Sequence, residues 1–144
     1  MNDGTATSAT PVADWRNDPG LSATWKFRFD FFEKYGIPIS GMMPAPECKA
    51  ALTKLSFGDR MKINMNWYAF FFGFIYFGFF LKLWRQALIL IGFALVYGIL
   101  ATILNFPDAV DKGVSIAYAL TCSSLANALY YRKRTQGNIG WRFF

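Results

Sequence analysis

Apolar and aromatic positions run almost unbroken from Asn66 to Phe106, NWYAFFFGFIYFGFFLKLWRQALILIGFALVYGILATILNF, with Lys82, Arg85 and Gln86 as the interruptions. A core helix of a soluble domain hides one stripe and keeps its opposite face polar. A stretch apolar on all faces therefore predicts helices that enter a membrane. A second apolar run, Gly113 to Tyr131, returns after the short polar turn NFPDAVDK. Crossing roughly 30 Å of hydrocarbon takes about 20 helical residues. Ala87 to Leu104 reaches that length once Trp84 and Phe106 serve as interfacial flanks, and the more polar Gly113 to Tyr131 also qualifies. Trp67 to Leu81 is shorter and carries Gly73 and Gly78, so it predicts either a segment that dips in and returns or a short tilted third span.

Upstream the pattern is amphipathic. In LSATWKFRFDFFEKYG, Trp25, Phe29 and Phe32 fall at i, i+4 and i+7, Ser22 or Thr24 can cap, and Gly36 supplies a stop. After the Gly/Pro-rich break Ile37 to Pro46, Pro46 opens a short helix, and Ser56 with Asp59 resembles a capping box before a further helix. Residues 1–20 hold little to bury and predict a disordered tail. The start has no positive segment followed by an apolar one, so no cleaved signal peptide is expected.

Charge sets the threading. The chain of 144 residues carries a formal net charge of +6, and its cations gather just outside the apolar runs. Lys49, Lys54, Arg60, Lys62, Lys82, Arg85, Arg132, Lys133 and Arg134 share one face if the aromatic block re-enters, leaving Asn105 to Lys112 across the membrane. A fully crossing block divides them nearly evenly. The expected organisation is an all-α integral membrane protein. It has a disordered tail (1–20), cytoplasmic amphipathic helices (21–65) and an aromatic re-entrant or third membrane helix (66–82). A transmembrane hairpin (85–106 and 113–131) with an outer loop (107–112) and a basic cytoplasmic tail (132–144) complete it.

Candidate chemistry is sparse. Histidine is absent, and Cys48 and Cys122 lie far apart in different kinds of segment, which argues against most metal sites, Ser/His or Cys/His catalysis and a disulfide framework. No cofactor, metal ion, catalytic residue or nucleic-acid partner is expected. Ala94, Gly98 and Thr102 repeat at i, i+4 and i+8 on one long run, and Ala119, Ser123 and Asn127 on the other. Such small and polar residues predict close helix packing, within the chain or in a homo-oligomer. Trp67, Tyr68, Trp84, Arg85, Arg132, Lys133 and Arg134 are expected at the membrane interface. Trp25, Phe29, Phe32, Phe70, Phe71 and Phe72 are candidate partner-binding residues, with lipid as the simpler partner of the last three.

The block Asn66-Trp67-Tyr68-Ala69-Phe70-Phe71-Phe72-Gly73, followed by Tyr76 and by Trp84-Arg85-Gln86-Ala87-Leu88, resembles a bacterial family of small membrane proteins known as domain of unknown function 2628. The likeness covers roughly Leu55 to Leu100. Phe74 stands where that family usually has Pro after the Gly. The resemblance implies a helical fold in the bacterial inner membrane and no reaction. The functional expectation is a non-enzymatic protein acting by contacts in the bilayer, most specifically an immunity protein against a membrane-active toxin. The alternatives are a homo-oligomeric channel or transporter component with Ser123, Ser124 and Asn127 lining a pore, and a membrane anchor for a cytoplasmic partner.

Overall fold

The computed structural model describes residues 14–38, 44–137 and 139–141, and among them every regular element is helical. Helix α1 (Ala23–Tyr35) begins where the Ser22 hydroxyl accepts from the Trp25 N–H at 3.4 Å and stops at Gly36, whose φ of 84° suits glycine. Helix α2 (Pro46–Lys54) starts on a proline. Helix α3 (Phe57–Asn64) is capped by Ser56, whose oxygen accepts from the Asp59 N–H at 3.2 Å and donates to the Asp59 carboxylate at 2.9 Å. Most of the break between α1 and α2, residues 39–43, lies outside the described residues.

The aromatic block forms α4 (Trp67–Ile75) and then a π-helical turn, Tyr76–Phe80. It is not one straight helix. Gly73 has φ 48° and ψ −125°, a backbone setting that side chains with a Cβ avoid. Beyond it the chain folds back. Asn66 Nδ2 donates to the Tyr76 hydroxyl at 3.4 Å, and the Tyr68 and Tyr76 rings stack at 6.0 Å. In a straight helix residues 66 and 76 would lie about 15 Å apart along the axis.

Helix α5 (Trp84–Leu104) follows, closes at Asn105 with φ 49°, and gives way to α6 (Asp108–Gln136). Among the described residues α5 is the one helix long and apolar enough to cross a membrane, and 11% of that stretch is buried. The expected outer loop 107–112 is largely helix, because Asp108 and Asp111 sit in the first turn of α6, where carboxylates favour the positive helix end. Within the expected tail 132–144, α6 continues to Gln136, and residues 138 and 142–144 lie outside the described residues.

Helix α6 is the central strut. Along its middle it packs mainly on α4, and α5 leans on α4 and the π turn. Ala69, Phe77, Leu83, Ala87, Cys122, Ala126 and Leu129 form that core. At its C-terminal end, Tyr130 and Tyr131 receive α1: the Trp25 and Tyr130 rings lie 4.6 Å apart, and Phe29 and Tyr131 5.1 Å. Phe31, Phe32, Cys48, Leu52 and Ile63 join α1, α2 and α3 in a second cluster. Residues 14–20, expected in a disordered tail, are held: Trp15 is buried edge-on against Phe29 at 5.5 Å, and Asp18 pairs with Arg134. One buried Trp, worth about 2 kcal/mol of apolar transfer, outweighs the polar residues around it. The remainder of that tail, 1–13, lies outside the described residues.

Gly73→Ala is expected to destabilise the protein by about 1–3 kcal/mol, since alanine cannot take that backbone setting without strain. Gly98→Ala, where an added Cβ meets nothing within 4 Å, leaves stability unchanged or higher. Unfolding midpoints of the two variants in mild detergent check the contrast.

Candidate functional site

Between α3 and α4 the chain runs through Met65 and Asn66 in extended conformation, which strands the last carbonyls of α3 and the first N–H groups of α4. Asn66 itself and side chains from α6 and α1 meet these groups. Asn66 caps its own helix, its Oδ1 accepting from the Ala69 N–H at 3.3 Å. The Ser123 hydroxyl accepts from the Asn66 N–H at 2.9 Å and donates to the Asn66 carbonyl at 3.1 Å. Asn127 Oδ1 accepts from Asn66 Nδ2 at 3.2 Å, while its Nδ2 donates to the carbonyls of Ile63 at 3.0 Å and Lys62 at 3.5 Å. Asn66, Ser123 and Asn127 are each no more than 1% exposed.

Arg28 closes the joint from α1. Its Nε donates to the Lys62 carbonyl at 2.6 Å and its Nη2 to the Met65 carbonyl at 3.2 Å, with the guanidinium 4.6 Å from the Trp25 ring centre. A cation at a helix C-terminus is favourable. Burial pushes the guanidinium down to about 10, so it stays charged at neutral pH. The network has no spare member: among the described residues no buried side-chain polar atom lacks a partner. What the joint can do is fix geometry. It aims α4 and sets where the chain must turn back at Gly73.

The outer surface of the hairpin is aromatic. Trp67, Tyr68, Phe71 and Phe72 of α4, Phe79 and Phe80 of the π turn and Trp84 are all exposed. The return limb closes its own backbone: the Leu81 N–H reaches the Tyr76 carbonyl at 3.1 Å and the Leu83 N–H the Phe77 carbonyl at 2.8 Å. Lys133 of α6 then donates to the carbonyls of Leu81 at 2.9 Å and Lys82 at 2.7 Å.

The expected packing stripes divide. Ser123 and Asn127 are buried and face the α3–α4 joint instead of α5, while Ala119 is half-buried. Gly98 and Thr102 are exposed, and with the half-buried Ala94 they line a shallow outward groove of about 410 Å³. The expectation that this stripe packs on the second long helix is corrected. Bulky groups space the two helices instead: Phe93 stacks on Tyr118 at 6.0 Å, the Tyr118 hydroxyl donates to the Leu90 carbonyl at 3.2 Å, and the Tyr97 hydroxyl to Asp111 at 2.7 Å.

Of the expected partner-binding residues, Phe71 and Phe72 are exposed and Phe70 half-buried, whereas Phe29 and Phe32 are buried against α6 and Trp25 is half-covered. The aromatic stripe of α1 is core because Tyr130 and Tyr131 complete it. Of the expected interface anchors, Trp67, Tyr68, Trp84 and Arg85 are exposed, while Arg132, Lys133 and Arg134 are half-buried. Lys133 and Arg134 are held within the chain by the carbonyls and carboxylate described above. Sequence reasoning missed Arg28. Its signal was a charge on the aromatic face itself, at i+3 from Trp25 and i+4 to Phe32.

Among known proteins, the chain matches over residues 7–135 the family described as "Protein of unknown function (DUF2628)". It is 36% identical over 129 residues to "Uncharacterized protein YigF" of Escherichia coli (strain K12), covering 89% of this chain and 96% of the relative. The protein of the same name in Salmonella typhimurium is 34% identical over 128 residues, again with 89% and 96% covered. No solved structure matches.

Asn66→Ala and Asn127→Ala are each expected to cost about 2–4 kcal/mol, because each leaves buried partners unpaired. In a double-mutant cycle the two should couple by about 1 kcal/mol or more. Additive losses in denaturant unfolding would show that they do not share one network.

Proposed function

The chain belongs to the DUF2628 family of proteins of unknown function, and from that premise we propose that it is a helical protein of the bacterial cytoplasmic membrane acting through contacts with another membrane protein. In this reading α5 crosses the bilayer and α6 returns beside it. The aromatic hairpin from Trp67 to Phe80 enters the hydrocarbon from the cytoplasmic side and leaves by the same side. The limbs on either side of Gly73 are each about 10 Å long at helical rise, too short to cross. The described parts of residues 14–65 cap the cytoplasmic end.

The observation that carries the reading is the outer face of α5. Leu88, Phe93, Leu95, Val96, Ile99, Leu100, Ile103 and Leu104 are exposed there, around the groove of Ala94, Gly98 and Thr102. In water such a patch is a liability. In lipid it is the ordinary surface of a span, and a small-residue groove lets a second helix come close. Protection against a membrane-active toxin, whose helix would occupy that groove, is the specific form of this function. The alternatives draw less support. Ser123 and Asn127 are committed to the α3–α4 joint and are not free to line a pore, and Phe29 and Phe32 are not free to recruit a cytoplasmic partner.

Single cysteines at Ser56, Lys82, Ala109 and Thr135, in a chain lacking Cys48 and Cys122, test the threading with an impermeant thiol reagent on intact cells. Ala109→Cys alone is expected to react. Labelling that separates position 56 from positions 82 and 135 would instead mean a full third crossing. For the function, Gly98→Leu is expected to abolish protection by filling the groove while protein abundance stays level. Deletion of the gene with no loss of resistance to any membrane-active toxin would remove the immunity form.

A further inference from the structure

Where the aromatic hairpin ends and α5 begins, the surface opens into a cavity of about 450 Å³ whose walls include Lys82, Trp84, Arg85, Lys133 and Gly140. Three of these walls are cations from two separate parts of the chain. Among the described residues no carboxylate lies within 4.0 Å of any of them. Lys133 is tied by its ammonium to the carbonyls of Leu81 and Lys82, and Arg85 lies 5.7 Å from the Trp141 ring centre. Burial, together with the charges of Lys82 and Arg134, holds the Lys133 ammonium below its ordinary value. Positive charge is crowded here, with no counter-charge within 4.0 Å among the described residues.

The backbone adds an independent sign. Lys82 has φ 52°, a left-handed setting where glycine is the default and a lysine is strained. Strain of this kind persists where the side chain or its placement is worth the cost. Held this way, Lys82 comes one buried residue, Leu81, after the exposed rings of Phe79 and Phe80, with Trp84 packed edge-on to Phe79 at 5.1 Å. One rim of the cavity is therefore cationic and the neighbouring surface is aromatic and apolar. A free anion would satisfy the first and ignore the second. A molecule with a phosphate at one end and hydrocarbon at the other satisfies both.

We propose that Lys82, Arg85 and Lys133 form a headgroup site for an anionic phospholipid, with its phosphate in the cavity and its acyl chains along Phe79, Phe80 and Trp84. The site rests on the reading that α5 and the aromatic hairpin lie in a bilayer. It pins the return limb of the hairpin to the cytoplasmic leaflet, where anionic lipid brings a counter-charge that no described carboxylate brings within 4.0 Å.

The test is native mass spectrometry of the full-length, delipidated protein in mild detergent with added phosphatidylglycerol, phosphatidylcholine or inorganic phosphate. Phosphatidylglycerol is expected to be retained in preference to phosphatidylcholine. Lys82→Gln and Arg85→Gln are each expected to weaken it about fivefold. Lys82→Gly should weaken it equally while leaving the unfolding midpoint unchanged or raised, because glycine relieves the strained φ; a purely structural lysine would give no such split. Equal retention of the two lipids, or variants that bind phosphatidylglycerol as the parent does, overturns the site. Inorganic phosphate at millimolar concentration displacing phosphatidylglycerol completely would make it a free-anion site and also overturn it. A chain that stays monomeric in buffer after removal of detergent and lipid refutes the bilayer reading itself, whereas equal lipid retention by a detergent-dependent protein refutes this site alone.

Discussion

Every break in a helix exposes backbone N–H and C=O groups, and a buried break survives only if each finds a partner. This chain breaks three times within a short distance: between α3 and α4, at Gly73, and between the π turn and α5. The first is the most deeply enclosed, and its partners come from α1 and α6, elements remote in sequence. Arg28, Ser123 and Asn127 thus connect the fold's two ends through the middle of the chain. In hydrocarbon, where water cannot repair an unpaired amide, irregular backbone has no alternative to being wrapped by protein.

The same requirement explains why α6 is long and mixed in character. Its outer half flanks α5 through aromatic spacers, its middle supplies Ser123 and Asn127, and its end supplies Tyr130, Tyr131 and Lys133. A helix with these duties on successive turns cannot be uniformly apolar. Its polar residues are points where other elements are fastened.

Helix caps at Ser22 and Ser56 and the stop at Gly36 were legible because each depends on residues close together in the chain, whereas Gly73 and Gly78 marked the aromatic block as interrupted without choosing between a fold-back and a short third span. Residue type also singled out Ser123 and Asn127. Their partner was not legible, since the i, i+4 repeat says which face is special and nothing about what it faces. Proximity in sequence suggested α5, and the actual neighbour is the cap of α4. Trp15 was hidden for a related reason: a lone aromatic in a polar tail gives no period, and its burial depends on a pocket that Phe29 and Tyr131 create only after folding. The basic cluster was judged by charge alone, while burial of its stems and the orphan carbonyls beside Lys133 decided its placement.

The segment from Asn66 to Gly73 is indexed at both ends against the same helix: Asn66 to Ser123 and Asn127, and Gly73 to Tyr118, whose ring would lie 3.6 Å from an added Cβ. It therefore behaves as a ruler. One inserted residue would turn everything beyond it by about 100° and lengthen it by 1.5 Å, carrying the reversal off its mark on α6. The spacing between the asparagine and the glycine is thus a fixed dimension of the protein, whereas the nature of the rings between them is free to drift so long as they remain greasy.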